Sequence, residues 1–121
     1  MTGKSEKQIG YASDLKARFL TNANETILGY ETRIKRLQKK DAERYAEKIG
    51  QIQNCITAWK IVIDRLNEMD DAGEVINALT SSFGLENAAM VIARMVNIDG
   101  HTIESAIGEI NSGRRLSDVK I

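Results

Sequence analysis

The hydrophobic positions of this 121-residue chain fall into two long runs and three short ones. In the first run Ile9, Ala12, Leu15, Phe19, Ala23, Ile27, Tyr30, Ile34 and Leu37 recur at steps of three and four, which traces one face of a helix. Ser5 and Gln8 form a capping box ahead of it, the hydroxyl accepting from an orphan amide while the glutamine reaches back. The polar patch TNANE interrupts this run, with Asn22 and Glu25 spaced as a second capping box, yet the apolar phase passes through it. The spacing therefore predicts a single helix over 5–38, about 50 Å long at 1.5 Å per residue.

The second run is Tyr45, Ile49, Ile52, Ile56, Trp59, Ile63 and Leu66, whose alternating steps of four and three are heptad-like. Asp41 is the expected N-cap and Glu43 suits the first turn. The β-branched stretch KIVID lies inside this pattern without turn residues and belongs to the helix. Matched stripes across a short polar link predict an antiparallel hairpin turning near Lys39–Asp41. The competing arrangement is one uninterrupted helix that dimerises, since no glycine or proline enforces the turn.

Beyond residue 69 the texture changes. Asp71 and Glu74 make another capping box, opening a short helix with Val75, Ile76, Leu79 and Phe83 inward. Gly84 is expected to end it in the left-handed conformation. LENAAMVIARMV is apolar nearly all round, the mark of a buried helix. NIDG is a turn, and HTIESAIGEI a third short helix with Ile103, Ala106, Ile107 and Ile110 inward and Gly113 at its end. The fold class is all-α, a long antiparallel helical hairpin followed by a small three-helix segment. The expected organisation is a basic hairpin over 1–69, three short acidic and apolar helices over 70–113, and a polar tail over 114–121 laid on the surface.

Composition agrees. Proline is absent and aromatics are 5%, where a strand-rich fold would use more of both. Cys55, the only cysteine, excludes an intramolecular disulfide and a cysteine zinc cluster. No apolar signal region opens the chain and no run approaches the ~20 apolar residues of a membrane span, so a cytoplasmic protein without membrane contact is expected. Residues 1–60 carry twelve Lys/Arg against seven Asp/Glu, and residues 61–121 five against ten. Either the halves neutralise each other in the fold or the basic half faces an anionic partner.

Residues that could carry catalysis are few. His101 is the only histidine and cannot build a two-histidine metal site. Cys55 adjoins the Ile52/Ile56 stripe and reads as a small hydrophobe. No glycine-rich phosphate loop follows a strand. A non-enzymatic protein with no cofactor and no metal is expected. The sharper feature is a basic cluster, Arg33, Lys35, Arg36, Lys39, Lys40, Arg44 and Lys48, around the proposed hairpin tip. Glu31, Asp41, Glu43 and Glu47 oppose it. The cluster is either a solvated helix surface or a contact for phosphates or an acidic protein groove. A helix-turn-helix reader is excluded, because the last short helix carries Glu104 and Glu109 and no cation before Arg114.

Lys7, Gln8, Ile9, Tyr11, Ala12 and Leu15 match an element of the form K-Q-I-x-Y-A-x-x-L, with Gly10 in its open slot. The N-terminal two-thirds of the chain thereby resembles small helical proteins of Gram-positive phages and mobile elements, including a charged hairpin and the helix start at Asp71 and Ala72. The resemblance carries no catalytic residue. It implies a binding protein that modulates or inhibits a nucleic-acid-handling protein, CRISPR-type defence effectors among them. The alternatives are an accessory protein that binds nucleic acid through the basic tip, and a structural homodimer that buries the stripes between subunits.

Trp59 continues the second stripe, so Trp59→Ala is expected to cost about 3–5 kcal/mol. A thermal melt of the variant checks this; an unchanged midpoint would place the indole in solvent.

Overall fold

The shift from heptad-like stripes to short apolar helices appears directly in the computed structural model, which describes residues 1–113 and 119–121. The described residues are all-α: α1 Glu6–Asp41, α2 Ala46–Glu68, α3 Ala72–Thr80, α4 Leu85–Asn97 and α5 Ile103–Gly113. Ser5 caps α1, its Oγ accepting from the Gln8 amide at 3.1 Å. The Gln8 side chain reaches back to the Lys4 amide at 2.6 Å, one residue further than a capping box requires. TNANE does not break the helix. The Thr21 and Thr26 hydroxyls bond to carbonyls four residues back, so the polar patch is absorbed into the helical ladder.

Asp41 does not cap α2. It remains the last residue of α1, and its carboxylate accepts from the Arg44 amide at 3.2 Å to close the turn over 42–45. Helix α2 then starts at Ala46 without a side-chain cap. The start of α1 lies beside the end of α2. Lys16 Nζ donates to the Met69 carbonyl at 3.4 Å, and the Phe19 and Trp59 rings stand 6.1 Å apart.

Helix α2 is buried over a wider arc than its stripe describes. Ile49, Ile52, Ile56, Trp59 and Leu66 are buried as the heptads require, but so are Ala58 and Val62, while Ile63 is only half-buried. The cause is a second neighbour, since α2 packs against α4 as well as α1. An amide pair sets that contact: Asn54 donates to Asn97 Oδ1 at 2.7 Å, and Asn97 donates to the Gln51 carbonyl at 3.1 Å.

Helix α3 packs on α1, and Asp71 caps it by accepting from the Glu74 amide at 2.9 Å. An extended N-terminal strap crosses its start. Thr2 donates to the Asp70 carbonyl at 2.7 Å and accepts from the Ala72 amide at 2.6 Å. Gly3 is forced there by space, because a Cβ would lie 2.8 Å from Ile9 and 2.9 Å from Ala72. Arg65 on α2 reaches Glu68 and Glu74, joining α2 to α3.

Three other expectations are corrected. Gly84 is not left-handed; at φ −68° and ψ −173° it is the extended N-cap of α4. Its absent side chain is needed for a different reason, since a Cβ would meet the Ala78 carbonyl at 2.6 Å. Phe83 is 51% exposed, because α3 has already ended at Thr80. Helix α4 is not buried all round: Leu85, Ala88, Ala89, Ile92 and Ala93 face the core, but Met90 is 59% exposed. Helix α5 packs on α4 with Ala106 and Ile110 buried. Residues 114–118 of the tail expected on the surface lie outside the described residues, and Val119, which is described, is buried with the core rather than laid on the surface.

Gly84→Ala should destabilise the fold by about 1–3 kcal/mol, because a backbone carbonyl must move. Gly50→Ala, where a Cβ meets nothing within 4 Å inside α2, should instead add about 0.5–1 kcal/mol. Urea titration of the two variants separates these signs.

Candidate functional site

The basic cluster is placed by the end of α1, the turn and the start of α2. Ile34 is buried and Leu37 half-buried against the core, which aims the residues between and beyond them outward. At about 100° per residue, Arg33, Lys35, Arg36, Lys39 and Lys40 fan over the helix surface opposite Ile34. Arg44 on the turn and Lys48 on α2 complete the set. All seven are exposed.

None of the seven pairs with a carboxylate among the described residues. Their opponents are near but otherwise arranged. Asp41 spends one oxygen on the turn amide, while Glu31, Glu43 and Glu47 point into solvent. The Arg44 guanidinium lies over the Tyr45 ring, 5.5 Å from its centroid. Arg18 near the other end of α1 behaves differently. It pairs with Asp14 one turn earlier, and that hydrogen bond raises its pKa above the ordinary arginine value.

Arg33 and Arg36 also border an apolar surface. With Glu25, Leu28, Gly29, Thr32 and Leu37 they line an open recess of about 630 Å³ on α1, where Leu28 is 61% exposed. Sequence reasoning missed this combination. Leu28 stands outside the apolar phase of α1, and that departure was the available signal.

Two more open recesses lie between α1 and α4, with Trp59 at the border of both. One, of about 410 Å³, is lined by Phe19, Ala23, Thr26 and Trp59 and carries Glu25 and Glu86 at its rim. The other, of about 290 Å³, is lined by Tyr30, Cys55, Trp59, Ala89, Met90 and Ala93, with Arg94 at its edge.

The residues considered for chemistry have structural partners. His101 is half-buried; its Nδ1 lies 3.1 Å from Ser105 Oγ and its Nε2 3.7 Å from Glu109. His101 stands two residues before α5, and Ser105 and Glu109, one turn apart on that helix, lie near its two ring nitrogens at the surface. Cys55 Sγ accepts from Asn97 at 3.8 Å within the α2–α4 contact. Among the described residues no group of three or more His, Cys, Asp or Glu is placed to hold a metal ion. No single helix among them is long and apolar enough to cross a membrane.

No family model, curated protein or solved structure matches this chain.

Reversing Lys35, Arg36, Lys39 and Lys40 to glutamate breaks no ion pair among the described residues. Lys39 and Lys40 stand in the last turn of α1, however, where a cation suits the helix dipole. The fold should therefore survive at a cost of about 0.3–1 kcal/mol at each of those two positions and less at the other two. Circular dichroism melts of the fourfold variant check this. A collapse of the midpoint would mean that the cations hold the helix ends together.

Proposed function

We propose that this chain is a non-enzymatic binding protein. In this reading α1 and α2 form an antiparallel hairpin, and its basic tip docks on a nucleic-acid-handling protein that it modulates or inhibits. The observation that carries the proposal is the recess on α1, where Arg33 and Arg36, which make no ion pair among the described residues, share a surface with Glu25, exposed Leu28 and half-buried Leu37. Arginine beside exposed apolar surface is the chemistry of a protein interface, in which apolar contact supplies affinity and guanidinium groups select carboxylates. A phosphate backbone offers nothing for Leu28 to bury against. The K-Q-I-x-Y-A-x-x-L resemblance supports the same reading and makes proteins of nucleic-acid-based defence the first partners to test.

A second reading rests on the seven exposed cations alone, which suit phosphates directly. The net charge of zero and the acidic second half of the chain oppose it, since they weaken long-range attraction to a polyanion. The two readings separate by salt titration. Weak binding to bare duplex DNA and RNA is expected at physiological salt, and the fourfold charge reversal should abolish only a protein complex. Tight binding that falls with salt at a log–log slope of about −3.6, the value for four released phosphate contacts, would establish the nucleic-acid reading instead.

A further inference from the structure

The recess on α1 has an internal symmetry. Glu25 and Gly29 stand two residues either side of buried Ile27, and Thr32 and Arg36 two either side of buried Ile34. At about 100° per residue these four share one seam, nearly opposite the face that α1 turns to the core. Their steps of four, three and four are those of a helix that meets another helix. All four are exposed, with Leu28 and Arg33 on the flanks of the seam.

The charges on this seam cannot satisfy one another within one chain. Ion pairs along a helix form three or four residues apart, as Arg18 and Asp14 do. At those distances Glu25 meets only Thr21, Asn22, Leu28 and Gly29. Arg36 meets only Thr32 and further cations, and Arg33 likewise has no acid in reach along α1. None of the three pairs elsewhere among the described residues. Under reversal of direction, however, the seam matches itself. About the midpoint between Tyr30 and Glu31, Glu25 is opposite Arg36, Leu28 opposite Arg33 and Gly29 opposite Thr32.

We propose that this seam pairs with the same seam of a second copy of the chain, the two α1 helices running antiparallel about a twofold axis at that midpoint. A twofold interface requires a patch complementary to itself in this way. Glu25 of each copy faces Arg36 of the other, so two ion pairs bracket about 16 Å, or three turns of helix. Gly29 and Thr32 sit at the crossing, where an absent or short side chain lets the backbones approach. In the single chain a Cβ on Gly29 would meet nothing within 4 Å, so the fold itself does not need this glycine. Gly10, Gly50 and Gly108 are equally open, and the matched charges are what single out Gly29. Leu28, exposed in the single chain, is covered at the edge of the crossing.

The antiparallel order also carries the basic tips apart. The two Lys40 positions lie about 28 Å from each other along the helices, far beyond the ~8 Å over which charges act at physiological salt. A parallel pair would instead set Arg36 on Arg36 and tip on tip. The second copy covers the recess assigned above to a protein partner, so self-pairing and docking compete. The pairing needs no such partner, and the dimer is expected even if none docks there.

Three turns of helix on each side make a small interface, so the dimer should be weak. Sedimentation equilibrium of the purified chain should show monomer passing to dimer, and no further, across the micromolar range. Glu25→Arg and Arg36→Glu each create two like-charge contacts and should each weaken the dimer by about tenfold or more. Mixed in equal amounts, the two variants should recover a dimer within about threefold of the unmodified chain, since each supplies the charge that the other lacks. Gly29→Gln should raise the thermal midpoint in dilute solution, because glutamine favours helix, and yet weaken the dimer. A chain that stays monomeric throughout would overturn the proposal, as would a mixture of the two variants that fails to recover. So would a dimer indifferent to both charge reversals, whose interface would then lie at another exposed apolar side chain such as Phe83, Met90 or Ile98. A dimer with no partner docking would sink the functional reading alone, and docking with no dimer would sink this pairing alone.

Discussion

The burial of α2 on two sides is the contact on which the rest of the molecule depends. Val62 and Leu66 have no exposed surface, and Trp59 and Ile52 have almost none, because α1 covers one side of the helix and α4 the other. At about 25 cal/mol per Å² of apolar surface, burial of this kind outweighs any single polar contact in the chain. Helix α1 is 36 residues long and polar over most of its circumference, so alone it would have little reason to stay fixed. It is held where α2 offers an apolar wall. Beyond Ile34 and Ile49 the wall narrows to a few side chains, and there the surface becomes basic. The arrangement of core and charge has one origin, the distance to which α4 extends along α2.

How much of this is legible in the sequence follows from which forces are local. The two long helices and the starts of the short ones are written in three-and-four spacing and in caps such as Ser5 and Asp71, whose hydrogen bonds form within three residues. What the spacing hides is a second neighbour. Val62 and Ala58 fall off the heptad stripe and are buried only because α4 arrives from elsewhere in the chain. Met90 misled in the opposite direction, since an apolar residue among apolar residues gives no sign of which side lacks a neighbour. Gly84 and Asp41 show the same limit at single positions. Each has the right residue type for a helix end, but the role it takes is set by a carbonyl or amide that the turn brings close. The basic residues could be located by reading the chain. Their lack of partners, and the nearness of Leu28 to Arg33 and Arg36, could not, because both depend on side-chain placement in space.

Polar contacts in this protein act more on alignment than on strength. Helix α4 buries Leu85, Ala88, Ala89, Ile92 and Ala93, apolar contacts that carry no direction of their own. Asn97 removes that freedom by binding Asn54 and the Gln51 carbonyl together. A shift by one turn would leave these amides half-buried without partners, at a cost of about 1–3 kcal/mol each. The registry of α4 in turn fixes where Met90, Ala93 and Arg94 stand relative to Tyr30.

The strap at Thr2 has a consequence for the order in which the chain assembles. Its bonds join positions 68 apart in sequence, so closing it early would tie nearly the whole of α1 and α2 into a loop for the return of a few hydrogen bonds. It becomes favourable only once Ile9 and Ala72 already form the slot that Gly3 enters. The strap is thus a latch rather than a seed. A nascent chain would zip α1, α2 and α4 together first, and fasten its own beginning over α3 as one of the last events of folding.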